Sequence, residues 1–291
     1  MDGIERGGLN RRILLAGSLA ACAAGCASAS PDPLPNLVRD DFRYAGRPQQ
    51  GGFLIGHAAP RAEILVDGKP VGRTSTHGLF VVGFDRDAPA TARLAVIEGG
   101  REQARNLAVA PGVFDIQRID GLPEDQVAPS DPALLARIAR EAALKTAAFA
   151  SLDDAEGFKN GFDWPVEATR RSSSFGGQRI LNGHPGRPHY GVDLAAPVGA
   201  PIHAPAPGLV ILAEPDLHFE GGLTLIDHGQ GLIAMFLHQS RQMVRVGDRV
   251  QRGQLIGAVG QTGRATGPHL CWRLKWRDRN LDPSLLVGAS A

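Results

Sequence analysis

Short apolar runs separated by glycine- and proline-rich turns recur along most of this 291-residue chain. They include Gly52-Phe53-Leu54-Ile55 and Leu79-Phe80-Val81-Val82 in the first half, and Leu223-Thr224-Leu225-Ile226 in the second. Runs of this length and composition are typical of strands, and 37 glycines and 21 prolines supply the turns between them. The pattern therefore predicts a mainly β protein.

Changes in this pattern divide the chain into predicted units. Residues 46–120 predict a small immunoglobulin-like β-sandwich, in which Asp67-Gly68 forms a hairpin turn. Asp131-Pro132 supplies an N-cap and a first-turn proline, so we expect an amphipathic linking helix over 130–150. Strand-forming runs then return, and they predict a second β domain over 160–288.

The N-terminal residues 1–29 resemble an export leader. Arg11-Arg12 precede an apolar stretch, Ile13 to Ala24, that is too short to span a bilayer comfortably. Residues 30–45 are rich in proline and polar side chains, which predicts a flexible tether. The expected location is therefore the periplasm.

Two cysteines in the leader leave its processing open. Leu19-Ala20-Ala21-Cys22 resembles a lipobox, and Ala23-Ala24-Gly25-Cys26 is a weaker match. Lipidation at either cysteine predicts a lipoprotein anchored in the outer membrane, whereas Ala27-Ser28-Ala29 suits ordinary cleavage and secretion.

The net charge excludes some classes of partner. The chain has 31 Lys+Arg against 30 Asp+Glu, so no broad electrostatic field attracts it to a polyanion. We therefore expect no nucleic-acid partner, and a neutral or mixed polymer is favoured as the substrate.

Polar chemistry is concentrated near the C-terminal end. His189 and Asp193 lie four residues apart in a segment whose glycine and nearby proline favour an extended chain, so an imidazole and a carboxylate can converge on one ion. His269 and Cys271 occupy positions i and i+2 of a predicted strand and therefore project from the same face. Between these pairs, His238 follows an apolar run.

Cys271 is the only cysteine outside the leader, so it has no intramolecular disulfide partner. An unpaired thiol in an oxidising compartment is open to damage unless it is buried or bound to a metal. We therefore expect Cys271 to be either buried or bound to a metal.

From about Arg187 to Pro283 the chain resembles the catalytic domain of the lysostaphin/LytM-type zinc endopeptidases, which degrade or remodel peptidoglycan. This resemblance implies antiparallel sheets of the LytM (duplicated-hybrid-motif) type, with an open groove and a zinc ion at its floor. The matching features are, in order, His189-x-x-x-Asp193, Gly208, Ile226-Asp227-His228-Gly229, His238, Val246-Gly247-Asp248-x-Val250, Gly253-Gln254-x-Ile256-Gly257 and Thr262-Gly263-x-x-Thr266-Gly267-Pro268-His269.

The resemblance also implies roles for five residues. His189 and Asp193 correspond to two zinc ligands, and His238 and His269 to the catalytic pair. One histidine of the pair takes a proton from the attacking water, and the other hydrogen-bonds the oxyanion or the departing amine. The third ligand in the family is usually a histidine, and Cys271 occupies that position here. A thiolate is a good zinc ligand, so metal binding is still expected.

The cysteine changes the expected charge of the site. Zinc with two neutral imidazoles and one carboxylate has a net positive charge, whereas exchanging one imidazole for a thiolate makes the site neutral. A less positive site acidifies water less and polarises a carbonyl more weakly. We therefore expect slower chemistry or a higher pH optimum.

The leading hypothesis is a zinc-dependent endopeptidase that hydrolyses peptide cross-links of bacterial peptidoglycan, with the stem peptides as its substrate. The alternative is a catalytically weak or inactive LytM-type regulator that activates a cell-wall amidase. Inactive members typically lack several metal and catalytic positions, and the match found here at 189, 193, 238 and 269 favours the enzyme. A third hypothesis, a wall-binding module, requires a zinc site without metal.

Overall fold

The computed structural model describes residues 42–119, 131–181 and 183–289. The predicted leader, both candidate lipidation cysteines and most of the predicted tether lie outside the described residues. The described chain is mainly β, as predicted, and its sheets are largely antiparallel. No helix in these three segments is long and apolar enough to cross a bilayer.

The first segment forms two antiparallel sheets with strand orders β1-β2-β5 and β4-β3-β6-β7. The turn between β3 and β4 is Asp67-Gly68, and both residues have the positive φ that a two-residue hairpin turn requires. The immunoglobulin-like class of this unit stays a prediction. Its strands are β1 Arg43–Gly46, β2 Phe53–His57, β3 Glu63–Val66, β4 Lys69–Arg73, β5 Leu79–Gly83, β6 Thr91–Glu98 and β7 Arg101–Ala108.

Helix α1 spans Pro132–Ala148, and the Asp131 side chain accepts a hydrogen bond from its first turn. None of its described residues is fully buried, but the partly buried positions 134, 138, 141, 145 and 148 recur at helical spacing and therefore share one face. Ion pairs also hold the helix: Lys145 pairs with Glu220, and Arg137 pairs with Asp216. Apolar packing begins only at its C-terminal end, with the last residues of the helix and Phe149.

The rest of the chain forms one large sheet and a small one. The large sheet has ten strands, paired antiparallel, along the path β17-β14-β15-β16-β19-β12-β9, with β13, β18 and β20 attached beside it. The small sheet has the order β11-β10-β8. The strands are β8 Ile116–Ile119, β9 Arg170–Ser173, β10 Gln178–Leu181, β11 His184–Pro185, β12 Gly191–Ala195, β13 Pro201–His203, β14 Gly208–Leu217, β15 Gly221–Asp227, β16 Leu232–Gln242, β17 Arg249–Val250, β18 Leu255–Val259, β19 His269–Trp276 and β20 Arg279–Leu281.

The two faces of the large sheet are packed differently. On β19, Leu270, Trp272 and Leu274 point into the main core, where all three are fully buried. Cys271 lies between them in sequence and therefore faces the other side. There it joins a second apolar cluster, which contains Leu212, Leu217, Leu223, Leu225, Ile233, Met235 and Leu237 and is flanked by Ala148 and Phe149.

The large sheet and the first pair of sheets are in direct contact. Arg86 Nε donates to the Gly176 carbonyl oxygen at 2.8 Å, and Arg279 Nη1 donates to the Gly83 carbonyl oxygen at 2.7 Å. Donors from both units therefore bind backbone acceptors on the other, which fixes the N-terminal sheets against the large sheet.

Candidate metal centre

Three predicted ligands meet on one face of the large sheet. Asp193 on β12 lies directly opposite Cys271 on β19 in the antiparallel register, and His189 is two residues before β12. His189 Nε2 is 3.2 Å from Asp193 Oδ1 and 3.3 Å from Cys271 Sγ. One ligand atom from each residue fits within 4.8 Å of the other two. Residues that are 82 positions apart in sequence thus converge on one point.

The His189 ring is oriented by its second nitrogen. Nδ1 lies 3.1 Å from Ser173 Oγ and 3.4 Å from the Ser174 carbonyl oxygen. A carbonyl oxygen only accepts hydrogen bonds, so the neutral ring has its proton on Nδ1 and a lone pair on Nε2. Hydrogen bonds of this kind commonly fix the tautomer of a metal-binding histidine.

The donor set fits a zinc ion. An imidazole nitrogen, a carboxylate oxygen and a thiolate are common zinc ligands, with bond lengths of about 2.0–2.3 Å. Tetrahedral placement at such lengths separates the donors by roughly 3.3–3.8 Å. The two distances from His189 Nε2 to its neighbours, 3.2 and 3.3 Å, are close to this range. The side chains of His189 and Asp193 are 23% and 21% exposed, so the site is open to solvent on one side.

The two predicted catalytic histidines lie beside this cluster. The ring centroids of His238 and His269 are 4.7 Å apart, and His269 Nε2 is 3.7 Å from Asp193 Oδ1. Each Nδ1 donates to a backbone carbonyl oxygen at 2.8 Å, that of Thr262 for His238 and that of Gly267 for His269. Both Nε2 atoms are therefore free of the backbone and can exchange protons at the site.

His238 reaches the site through an unusual backbone conformation. It lies where β16 changes partner from β19 to β18, and its φ is +64°, a left-handed value that is costly for a residue other than glycine. Leu237 already faces the Cys271 side, so regular alternation would direct His238 to the opposite face. The left-handed residue breaks the alternation. The His238 N–H donates to the Glu220 carbonyl oxygen at 2.8 Å, which supports this conformation.

Charges within the cluster favour ionised ligands. Burial opposes ionisation of Cys271, but the charge of Arg273 and hydrogen bonds from histidines lower the pKa of the thiol to about 6. Burial also disfavours charge on His189, but its hydrogen bonds to Asp193 and Cys271 raise its pKa to about 10. The pKa of Asp193 is lowered, because its hydrogen bond to His189 outweighs its burial. At neutral pH the metal-free cluster is therefore two anions holding one imidazolium, and a divalent cation would displace that proton.

Sequence reasoning missed one polar residue of the site. Arg273 Nε donates to Cys271 Sγ at 3.3 Å. Strand alternation could have indicated it, because residues 269, 271 and 273 are two apart on one strand and therefore face the same side.

The histidine of the Asp227-His228-Gly229 turn lies elsewhere. The side chain of His228 is fully buried, its Nδ1 donates to the Pro207 carbonyl oxygen at 2.8 Å, and its ring packs on Phe162. Burial lowers its pKa to about 4. His228 therefore has a structural role, although it belongs to the same set of matching positions.

Comparison with known proteins places the chain among the peptidases. Residues 187–283 match the family described as Peptidase family M23. A crystal structure of a putative peptidase M23 from Pseudomonas aeruginosa superposes with a TM-score of 0.65 at 33% identity, over 84% of this chain and 96% of that one. The chain belongs to peptidase family M23.

Curated relatives match over a shorter region. Peptidoglycan DD-endopeptidase ShyA of Vibrio cholerae is 38% identical over 121 residues, which is 40% of this chain and 27% of that protein. DD-carboxypeptidase/endopeptidase Mpg of Neisseria meningitidis is 36% identical over 126 residues, which is 43% of this chain and 29% of that protein. The chain thus spans less than a third of the length of these relatives.

Proposed function

We propose that this protein is a zinc metalloendopeptidase that hydrolyses peptide cross-links of bacterial peptidoglycan. The observation that supports this most is the convergence of His189, Asp193 and Cys271, with two further histidines beside them. Membership of peptidase family M23 agrees with a peptidase, and two similar proteins are named as endopeptidases, one of them as acting on peptidoglycan.

The site has the parts that amide hydrolysis needs. A bound zinc ion supplies Lewis acidity, which makes water a better nucleophile and polarises the scissile carbonyl. His189, Asp193 and Cys271 would hold the ion. Of His238 and His269, one accepts the proton of the attacking water and the other donates to the oxyanion or to the departing amine. The backbone acceptors on both Nδ1 atoms keep the rings aimed for these transfers.

The substrate is the cross-linked stem peptide, and we place the cut between D-alanine and the diamino acid of the neighbouring stem. The DD-endopeptidase names of similar proteins support this bond. A partly open site on a sheet face is compatible with an extended peptide chain, since the side chains of His189 and Asp193 are about one-fifth exposed.

The activity is tested by zinc analysis of the purified protein, followed by digestion of purified sacculi with and without a chelator. We expect about one zinc ion per chain and release of uncross-linked peptides that stops when the metal is removed. The matched control is His238→Ala, which should keep its zinc and release almost no peptide. Zinc binding by the unaltered protein without any peptide release would contradict the proposal and would favour the amidase-activating alternative.

We also propose that the protein acts in the periplasm, anchored by a lipid on Cys22 or Cys26. The lipobox-like sequence before Cys22 supports this proposal. Incorporation of labelled palmitate into the unaltered protein, its loss in Cys22→Ser and its retention in Cys26→Ser would assign the lipid to Cys22. If neither the unaltered protein nor the variants incorporate palmitate, the proposed lipid anchor is contradicted.

A further inference from the structure

The hydrogen bond from Arg273 to the sulfur of Cys271 is the starting point. Arg273 Nε lies 3.3 Å from Cys271 Sγ, and the two side chains share one face of β19. A guanidinium donates hydrogen bonds and cannot accept them, so this contact favours sulfur as an anion. The roles that the family resemblance implies do not include Arg273.

The neighbouring strand leaves room for this arginine. Gly191 on β12 is the register partner of Arg273, and a Cβ added at Gly191 would lie 2.5 Å from Arg273 Cγ and 2.7 Å from the Trp272 carbonyl oxygen. Any side chain there would displace the arginine stem. Gly191, two residues before the ligand Asp193, therefore leaves the space that the Arg273 side chain occupies.

A nearby acid does not neutralise the guanidinium. Glu220 interacts electrostatically with Arg273, but Lys145 of α1 forms an ion pair with Glu220. The Lys145 charge therefore offsets that of Glu220, and the Arg273 charge stays available to the sulfur. The side chains of Lys145 and Glu220 are only 19% and 14% exposed, so solvent screens this pair incompletely.

Including Arg273 changes the charge of the site. A zinc ion with one imidazole, one carboxylate and one thiolate has a net charge of zero, and the guanidinium raises the total charge to +1. A zinc ion with two imidazoles and one carboxylate has the same total charge of +1 without an arginine. The arginine thus offsets the charge that the cysteine adds.

We propose that Arg273 is a positioning residue of the metal site, which holds Cys271 as a thiolate ligand and compensates its charge. This inference rests on the proposed metal site and is independent of the substrate. It implies that Cys271 and Arg273 act as a pair, so that the arginine is useful only while residue 271 is a cysteine.

A double-mutant cycle with metal affinity as its readout tests the pairing. The proteins are the unaltered chain, Arg273→Gln, Cys271→His and the double variant, each titrated with Zn²⁺ against a competing chelator and with Co²⁺ for the thiolate-to-cobalt absorption band. In the cysteine background, Arg273→Gln should weaken zinc binding about 10- to 100-fold and shift that band. In the histidine background the same change should leave affinity unchanged or raise it, because a neutral ligand needs no cationic partner.

Arg273→Lys is the second variant, because it keeps the charge but not the guanidinium. It should weaken binding less than Arg273→Gln does, and thermal unfolding of the metal-free proteins shows whether each variant is folded. Equal losses of affinity in the two backgrounds would overturn the pairing, as would an unchanged affinity and band for Arg273→Gln. Absence of zinc binding by the unaltered chain would instead contradict the metal site itself.

Discussion

Three histidines of the C-terminal β domain lie in two different regions, and the regions differ in what surrounds the Nε2 atoms. His228, His238 and His269 all donate through Nδ1 to a backbone carbonyl oxygen at 2.8 Å. His228 Nε2 is buried, and no described residue gives it a hydrogen-bond partner. His238 and His269 instead lie beside Cys271 and Asp193. The same anchored imidazole is therefore a structural residue in one region and a candidate catalytic residue in the other.

The largest effect on metal binding is expected from removing the thiolate. Cys271→Ala should weaken zinc binding roughly a thousandfold, because deleting a ligand costs more than the 10- to 100-fold lost with an outer partner. His228→Ala, measured by the same chelator competition, should bind zinc as the unaltered protein does. A similar loss in both variants would show that the two regions are not distinct.

Removing a catalytic histidine should separate chemistry from metal binding. His238→Ala should lower peptide release from sacculi by about 10²–10⁴, since general acid–base groups contribute that much. Its zinc content should stay unchanged, because His238 is not among the three ligands. Loss of zinc from this variant would make His238 a ligand and would break the proposed division of roles.

His228 should affect stability and little else. His228→Ala removes a buried ring that packs on Phe162 and donates to Pro207, so the free energy of unfolding should fall by about 2–4 kcal/mol. Urea denaturation of the metal-free protein measures this loss. An unchanged unfolding midpoint would contradict the structural role.

The pH dependence of the free energy of unfolding should also reflect the burial of His228. The pKa of His228 is lowered to about 4 in the folded protein, against an ordinary value of 6.5, so the unfolded state binds the proton first. Its contribution is fully present above about pH 6.5 and is lost as the pH falls towards 4, by at most about 3 kcal/mol. His228→Asn keeps a donor for Pro207 without titrating there, so its stability should fall less steeply over this range. Parallel curves for the two proteins would refute the assignment.

Local sequence predicted the parts of this fold and site that depend on periodicity. Alternation on β19 predicts that Cys271 and Leu270 point to opposite faces, and the two side chains do lie in different apolar clusters. Asp67-Gly68 predicts a hairpin because few other pairs adopt positive φ twice. The mainly β class follows from the same kind of local pattern.

Features that depend on distant contacts were not predictable. The left-handed conformation of His238 has no glycine to signal it and is supported by the carbonyl oxygen of Glu220, in the turn between β14 and β15. The cap and spacing predicted helix α1 itself, but the ion pair of Lys145 with Glu220 that attaches it joins residues distant in sequence. Arg273 resembles any charged residue of a half-exposed strand until its contact with sulfur is seen.

The most direct test is X-ray absorption spectroscopy at the zinc edge of the purified protein. If the side chains at 189, 193 and 271 surround one ion, the spectrum requires a single sulfur neighbour at about 2.3 Å together with nitrogen or oxygen neighbours at about 2.0–2.2 Å. In Cys271→His the sulfur shell should disappear while a nitrogen and oxygen shell remains. Zinc surrounded by nitrogen and oxygen alone in the unaltered protein would contradict the site.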